Sequence, residues 1–132
     1  NMPVWPDVPK VLPALKSAGL RLAFVSNATT AILQACLRNA GLQDLFEHVL
    51  STDAIRTYKP DLRAYRMAMD AFGLRREEIG FVAYAGWDAA GAKAFGYTTY
   101  WVNRLKQPAE ELGVWADGES SDLTGLLGFL KE

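Results

Sequence analysis

One unit recurs along this chain and narrows its fold more than any other feature: an apolar helical stripe, a glycine, then a short run of strand-forming residues. Val8, Val11, Leu12 and Leu15 share one helical face behind the candidate N-cap Asp7; Gly19 offers the left-handed residue that closes the helix, and LRLAFVS (20–26) follows as a buried strand. The unit returns with Ile32, Leu33, Cys36, Leu37 and Ala40, closed by Gly41 ahead of the strand HVLS (48–51). Leu62, Tyr65, Met69 and Phe72 come next, closed by Gly73 before IGFVAYA (79–85). A helix over 88–95 ends at Gly96 before TTYWV (98–102), and Leu123, Leu126, Leu127 and Leu130 mark a terminal helix. Helices alternating with strands imply an α/β fold, a parallel sheet with helices on both faces. Ligands in such folds bind beyond the C-terminal ends of the strands, so the loops after Val25, Leu50, Ala83 and Trp101 are the places to look for chemistry.

Length and composition limit what that chemistry can be. The chain has 132 residues, enough for a single domain (1–132) with a real core. Its formal net charge of −1 offers no basic surface for nucleic acid. Cys36 is the only cysteine, so there is no internal disulfide or thiolate metal cluster. No stretch approaches the roughly 18 apolar residues of a membrane span, and NMPVWPDVPK lacks the pattern of a signal peptide. The expectation is a cytoplasmic protein with no membrane or nucleic-acid partner. His48 is the only histidine, which leaves little material for a Ser-His-Asp triad or a histidine metal site. His48 and Cys36 are read as structural. Catalysis would rest on Asp, Lys, Ser, Asn or Tyr.

Three loops hold such residues. In SNATT, Ser26 and Asn27 stand at a strand end before a helix, where hydroxyl, amide and helix N-terminal N–H groups suit an anionic ligand group; equally, either could cap the helix over 30–40 or shape the turn. In TYKPD, Pro60 favours a helix start and restricts Lys59 to extended geometry, which fixes where the ammonium group begins. Taken alone, Lys59 could also be a solvated turn lysine, and Tyr65 lies on a core stripe. In VAYAGWDAAGAKAFG (82–96), Asp88 could be a functional carboxylate or the N-cap of its helix, and Trp87 a site wall or core.

Taken in order, SNATT, STDAIRTYKPDLRAY and GWDAAGAKAFGYTTYWVNR resemble the haloacid dehalogenase superfamily, and within it the type II 2-haloacid dehalogenases, from Trp5 to the end of the chain. The resemblance implies a three-layer α/β/α Rossmann-like core and a hydrolase that breaks the carbon–halogen bond of small 2-halocarboxylic acids. An Asp carboxylate displaces halide at C2 with inversion, and water then hydrolyses the ester. No metal or organic cofactor is implied, and a homodimer is. On this pattern Ser26 holds the substrate carboxylate, Asn27 helps receive the halide, and Trp87 walls the halide side. Lys59 keeps the nucleophile ionised, Tyr65 supports the substrate and carboxylate end, and Asp88 pairs with Lys59 and orients or activates water.

Departures from the family pattern sharpen these expectations. Phosphatases of the superfamily carry Gly-Asp-x-x-x-Asp here, with the first Asp on Mg²⁺; this chain has Tyr84 there and retains Asp88, which favours dehalogenation. Ala83, Tyr84 and Ala85 replace a Ser-Ser-Asn-type stretch that helps position water, leaving backbone groups or the Tyr84 hydroxyl as substitutes. The strand bearing the nucleophile and the helical cap domain have no match in residues 1–132. A gap is therefore expected between the strands ending at Ser26 and Ala85, and these residues alone are expected to be inactive. The alternatives are a phosphatase-like hydrolase with an unusual metal site, and a non-catalytic remnant that binds a small carboxylate or a protein.

Overall fold

The computed structural model describes residues 6–59, 61–106, 108 and 116–130. They divide into two compact units, Asn1–Tyr58 and Lys59–Glu132. Every described strand pair is parallel, as the helix–strand alternation requires, and the strands form two sheets rather than one continuous sheet. No described helix is long and apolar enough to cross a membrane.

The first unit contains α1 (Val8–Ser17), β1 (Ala23–Ser26), α2 (Thr30–Ala40) and β2 (His48–Ser51). β1 and β2 pair in register from Ala23 opposite His48 to Ser26 opposite Ser51. That register explains why β1 is shorter than the expected 20–26: β2 begins at His48, so residues 20–22 lie before the ladder, with Glu47 N–H donating to Leu22 O. The helical stripes are narrower than their sequence suggests. Val11 and Leu15 are buried on α1, and Leu33 and Leu37 on α2, but Ile32 and Cys36 are exposed. Each fully buried aliphatic side chain contributes about 1.5–3 kcal/mol. Asp7 makes no side-chain cap; its carbonyl accepts from Lys10 and Val11 instead. The cap of α2 is Thr29, whose hydroxyl accepts from Ile32 N–H, so neither Ser26 nor Asn27 performs that task. The helix ends at Gly41, where a φ of 72° admits glycine without strain.

The second unit contains α3 (Leu62–Phe72), β3 (Gly80–Ala83), α4 (Gly86–Phe95), β4 (Thr98–Val102), β5 (Gly118–Ser120) and α5 (Thr124–Phe129). The strand order is β3-β4-β5. Asp61 caps α3 by accepting from Arg63 N–H at 2.8 Å; the helix start expected at Pro60 lies outside the described residues. Leu62, on the expected stripe, is exposed, while Ala64, Tyr65 and Ala68 are buried. β3 ends at Ala83 rather than Ala85, because Ala85 is already the extended N-cap of α4. α4 packs on β3 and β4, and the core between these elements is aromatic. Phe81 stacks on Tyr97 with centroids 5.7 Å apart, and Tyr97 meets Phe95 at 5.0 Å.

β5, Gly-Glu-Ser, has no apolar alternation and was not expected from the sequence. Asp117, just before it, provides the anchor. Its carboxylate accepts from Lys93 Nζ on α4 and from Thr99 N–H on β4, each at 2.8 Å. Burial works against the charge, but the Lys93 and Thr99 bonds outweigh it and hold the carboxyl below its usual range. A depressed folded-state pKa stabilises the fold above the unfolded value of about 4, and that contribution is lost as pH falls through the folded value. The pair is about one-third exposed, which limits it to about 0.5–1 kcal/mol. Urea denaturation of Asp117→Asn is expected to show that deficit at neutral pH, and the difference from wild type is expected to vanish in acid.

Candidate active site

The site begins where β3 hands the chain to α4. Ala83 is buried and packs with Ala89 and Trp101. The Trp101 indole N–H donates to Tyr84 O at 2.9 Å, pinning the backbone of the connecting loop. α4 starts at Gly86, so Asp88 lies in its first turn rather than at its cap. A carboxylate there faces the positive end of the helix dipole.

Asp88 is 6% exposed, and each of its carboxylate oxygens has a partner. Lys59 Nζ lies 2.8 Å from Oδ2. The Tyr65 hydroxyl donates to Oδ1 at 2.7 Å and lies 3.3 Å from the Asp88 carbonyl. Lys59 precedes α3, and its ammonium group sits 5.7 Å from the centroid of the Phe81 ring. Tyr65, one turn into α3, is fully buried. It reconciles the two readings of the sequence: its ring is core, set edge-on to Phe81 at 5.4 Å, and its hydroxyl belongs to the site. Burial, then the bond to Asp88 and its charge, raise the Tyr65 phenol far above the ordinary tyrosine range. It is therefore a fixed donor and not a base. A carboxylate has about four lone-pair positions, so these two bonds orient Asp88 and leave it further acceptor capacity.

The structure thus gathers Lys59, Tyr65 and Asp88, with the half-exposed Trp87 beside Asp88 on the same helical turn. Ser26 and Asn27 belong to the other unit, at the C-terminal end of β1. Ser26 Oγ accepts from Ala28 N–H at 3.1 Å, which shapes the turn. Asn27 Oδ1 accepts from the fully buried Thr52 hydroxyl at 2.9 Å, and Ser51 Oγ donates to Ala28 O at 2.6 Å. Sequence reasoning assigned no role to Ser51, Thr52 or Trp101. The signal for the first two was the polar pair closing β2, the strand that pairs with β1.

Comparison with known proteins gives a consistent result. The family model described as haloacid dehalogenase-like hydrolase matches residues 1–96. The chain is 43% identical over 121 residues to an (S)-2-haloacid dehalogenase of Pseudomonas sp. (strain YL), covering 92% of this chain and 52% of that protein. It is 43% identical over 113 residues to haloacetate dehalogenase H-2 of Moraxella sp. (strain B), covering 86% of this chain and 50% of that one. A solved L-2-haloacid dehalogenase superposes with a TM-score of 0.95 at 41% identity, covering 98% of this chain and 57% of the other. The chain spans about half the length of the curated relatives it matches.

Burial makes the Lys59–Asp88 pair costly to break from one side. Both side chains are about one-tenth exposed, and removing one partner of a buried pair typically costs about 3–5 kcal/mol because the other charge is stranded. Lys59→Ala is expected to lose that much in chemical denaturation. The double replacement Lys59→Met with Asp88→Leu is expected to lose markedly less.

Proposed function

Since this chain belongs to the haloacid dehalogenase-like hydrolases, we propose that the whole protein removes halide hydrolytically from short 2-haloalkanoic acids through an aspartyl ester. The observation that carries this reading is the buried Asp88 held by Lys59 and Tyr65, next to Tyr84 at the position where phosphatases of the family place a metal-binding Asp. The relatives' names support the same substrate class.

In this reaction a carboxylate from a segment other than residues 1–132 attacks C2 of the substrate, and halide leaves with the bonding electrons. A water then adds to the ester carbonyl and gives up a proton to Asp88. The C2–oxygen bond stays intact, so the ester opens to a 2-hydroxy acid of inverted configuration and regenerates the carboxylate. Lys59 keeps the nucleophile ionised as well as pairing with Asp88. Ser26 holds the substrate carboxylate, Asn27 and Trp87 receive the halide, and Tyr65 supports the carboxylate end through Asp88. An indole suits the halide side because its N–H and ring edge carry the positive part of its charge distribution. In-line positioning of nucleophile and C2 supplies up to about 7–11 kcal/mol of barrier lowering. Residues 1–132 form the C-terminal part of a single core domain completed by the nucleophile strand. The protein works in the cytoplasm as a homodimer, without metal or organic cofactor.

The whole protein is expected to release halide from an L-2-haloalkanoic acid with a rate unaffected by chelators, and residues 1–132 alone to release none. Asp88→Asn is expected to lower halide turnover by about 100- to 10,000-fold, the usual range for loss of a general base. Mg²⁺-dependent hydrolysis of phosphomonoesters without halide release would contradict the proposal.

A further inference from the structure

The Tyr65 hydroxyl reaches Asp88 because α4 carries no side chain at position 91. Gly91 lies three residues beyond Asp88, one turn along the same side of the helix. A Cβ at Gly91 would stand 2.5 Å from Tyr65 Oη and 3.1 Å from both Cε2 and Cζ of its ring. The ring has little freedom to retreat. Phe81 lies against it edge-on at 5.4 Å, Phe95 at 6.1 Å, and the Tyr97 hydroxyl donates to the Tyr65 carbonyl.

Backbone geometry does not explain this glycine. Gly91 is interior to α4 and is not among the glycines with positive φ. In such a position alanine is the better helix former, and Ala89, Ala90 and Ala92 surround it. The helix forgoes that gain at a residue whose Cβ would overlap the Tyr65 hydroxyl.

We infer that Gly91 is a positioning residue for Asp88. Its bare backbone is the seat in which the Tyr65 hydroxyl rests, and from that seat the hydroxyl fixes Oδ1 while Lys59 fixes Oδ2. With Ala83 and Ala85 offering no side-chain polar groups, the orientation of Asp88 depends on this pair. The inference rests on the reading of Asp88 as the residue that directs the hydrolytic water.

The test is Gly91→Ala in the whole protein, alone and combined with Tyr65→Phe, read by NMR of the Tyr65 hydroxyl proton and the Asp88 carboxyl carbon and by steady-state halide release. Gly91→Ala is expected to abolish the slowly exchanging Tyr65 hydroxyl signal, move the Asp88 carboxyl resonance and lower kcat by about 100-fold. KM is expected to fall along with kcat, and kcat/KM to stay within about twofold, because the slowed step, ester hydrolysis, follows the displacement of halide. In the Tyr65→Phe background the same replacement is expected to change neither kcat nor the Asp88 resonance further, since the closest overlap is with the hydroxyl oxygen. Should Gly91→Ala fail to fold, the double variant is expected to fold. Unchanged Tyr65 and Asp88 signals in Gly91→Ala, an equal loss of kcat in both backgrounds, or failure of both variants to fold would overturn the inference. A whole protein that releases no halide would overturn the proposed reaction instead, and the NMR comparison would still decide the role of Gly91.

Discussion

A carboxylate withdrawn from water must be partnered or it will not stay charged, and the second unit is arranged around meeting that demand at Asp88. Lys59 takes one oxygen and Tyr65 the other. The first-turn position on α4 adds the favourable end of a helix dipole. Each partner is itself constrained: Lys59 stands just before a helix capped by Asp61, and Tyr65 is set in an aromatic core with Phe81, Phe95 and Tyr97. The close approach of α3 to α4 thus serves packing and charge together.

The loop from Ala83 to Trp87 meets the site with packing and backbone bonds more than with polar side chains. Ala83 contributes packing, against Ala89 and Trp101, where a polar side chain would face an apolar cluster. Trp101 then holds the loop through its backbone, by the bond to Tyr84 O, and leaves the Tyr84 side chain exposed. Rigidity reaches Asp88 through the backbone and through Tyr65. The charge pair is thus held in place by backbone bonds and an aromatic core.

Helix–strand alternation was legible because apolar periodicity and helix-closing glycines are local signals. β2 and β4 occupy the residues expected for them. Caps were less legible, because the competition among Ser26, Asn27 and Thr29, or between Ala85 and Asp88, is settled by where the preceding strand stops pairing. β5 escaped notice because a Gly-Glu-Ser strand is held by backbone pairing and the Asp117 anchor, neither of which has a periodic signature. The meeting of Lys59 with Asp88, 29 residues apart, was readable from the order of the family motifs and not from local pattern. Tyr65 shows the limit of periodicity most plainly: a helical stripe marks a buried ring but says nothing of a hydroxyl at the ring's far end.

In the proposed reaction Asp88 serves ester hydrolysis, the second half, more than the displacement of halide. Intact-protein mass spectrometry of whole-protein Asp88→Asn after brief exposure to an L-2-haloalkanoic acid separates the two halves. The expected result is an accumulated adduct whose added mass is the substrate without its halogen, carried as an ester that wild type does not accumulate. An Asp88→Asn protein that neither releases halide nor forms the adduct would instead place Asp88 in the displacement step.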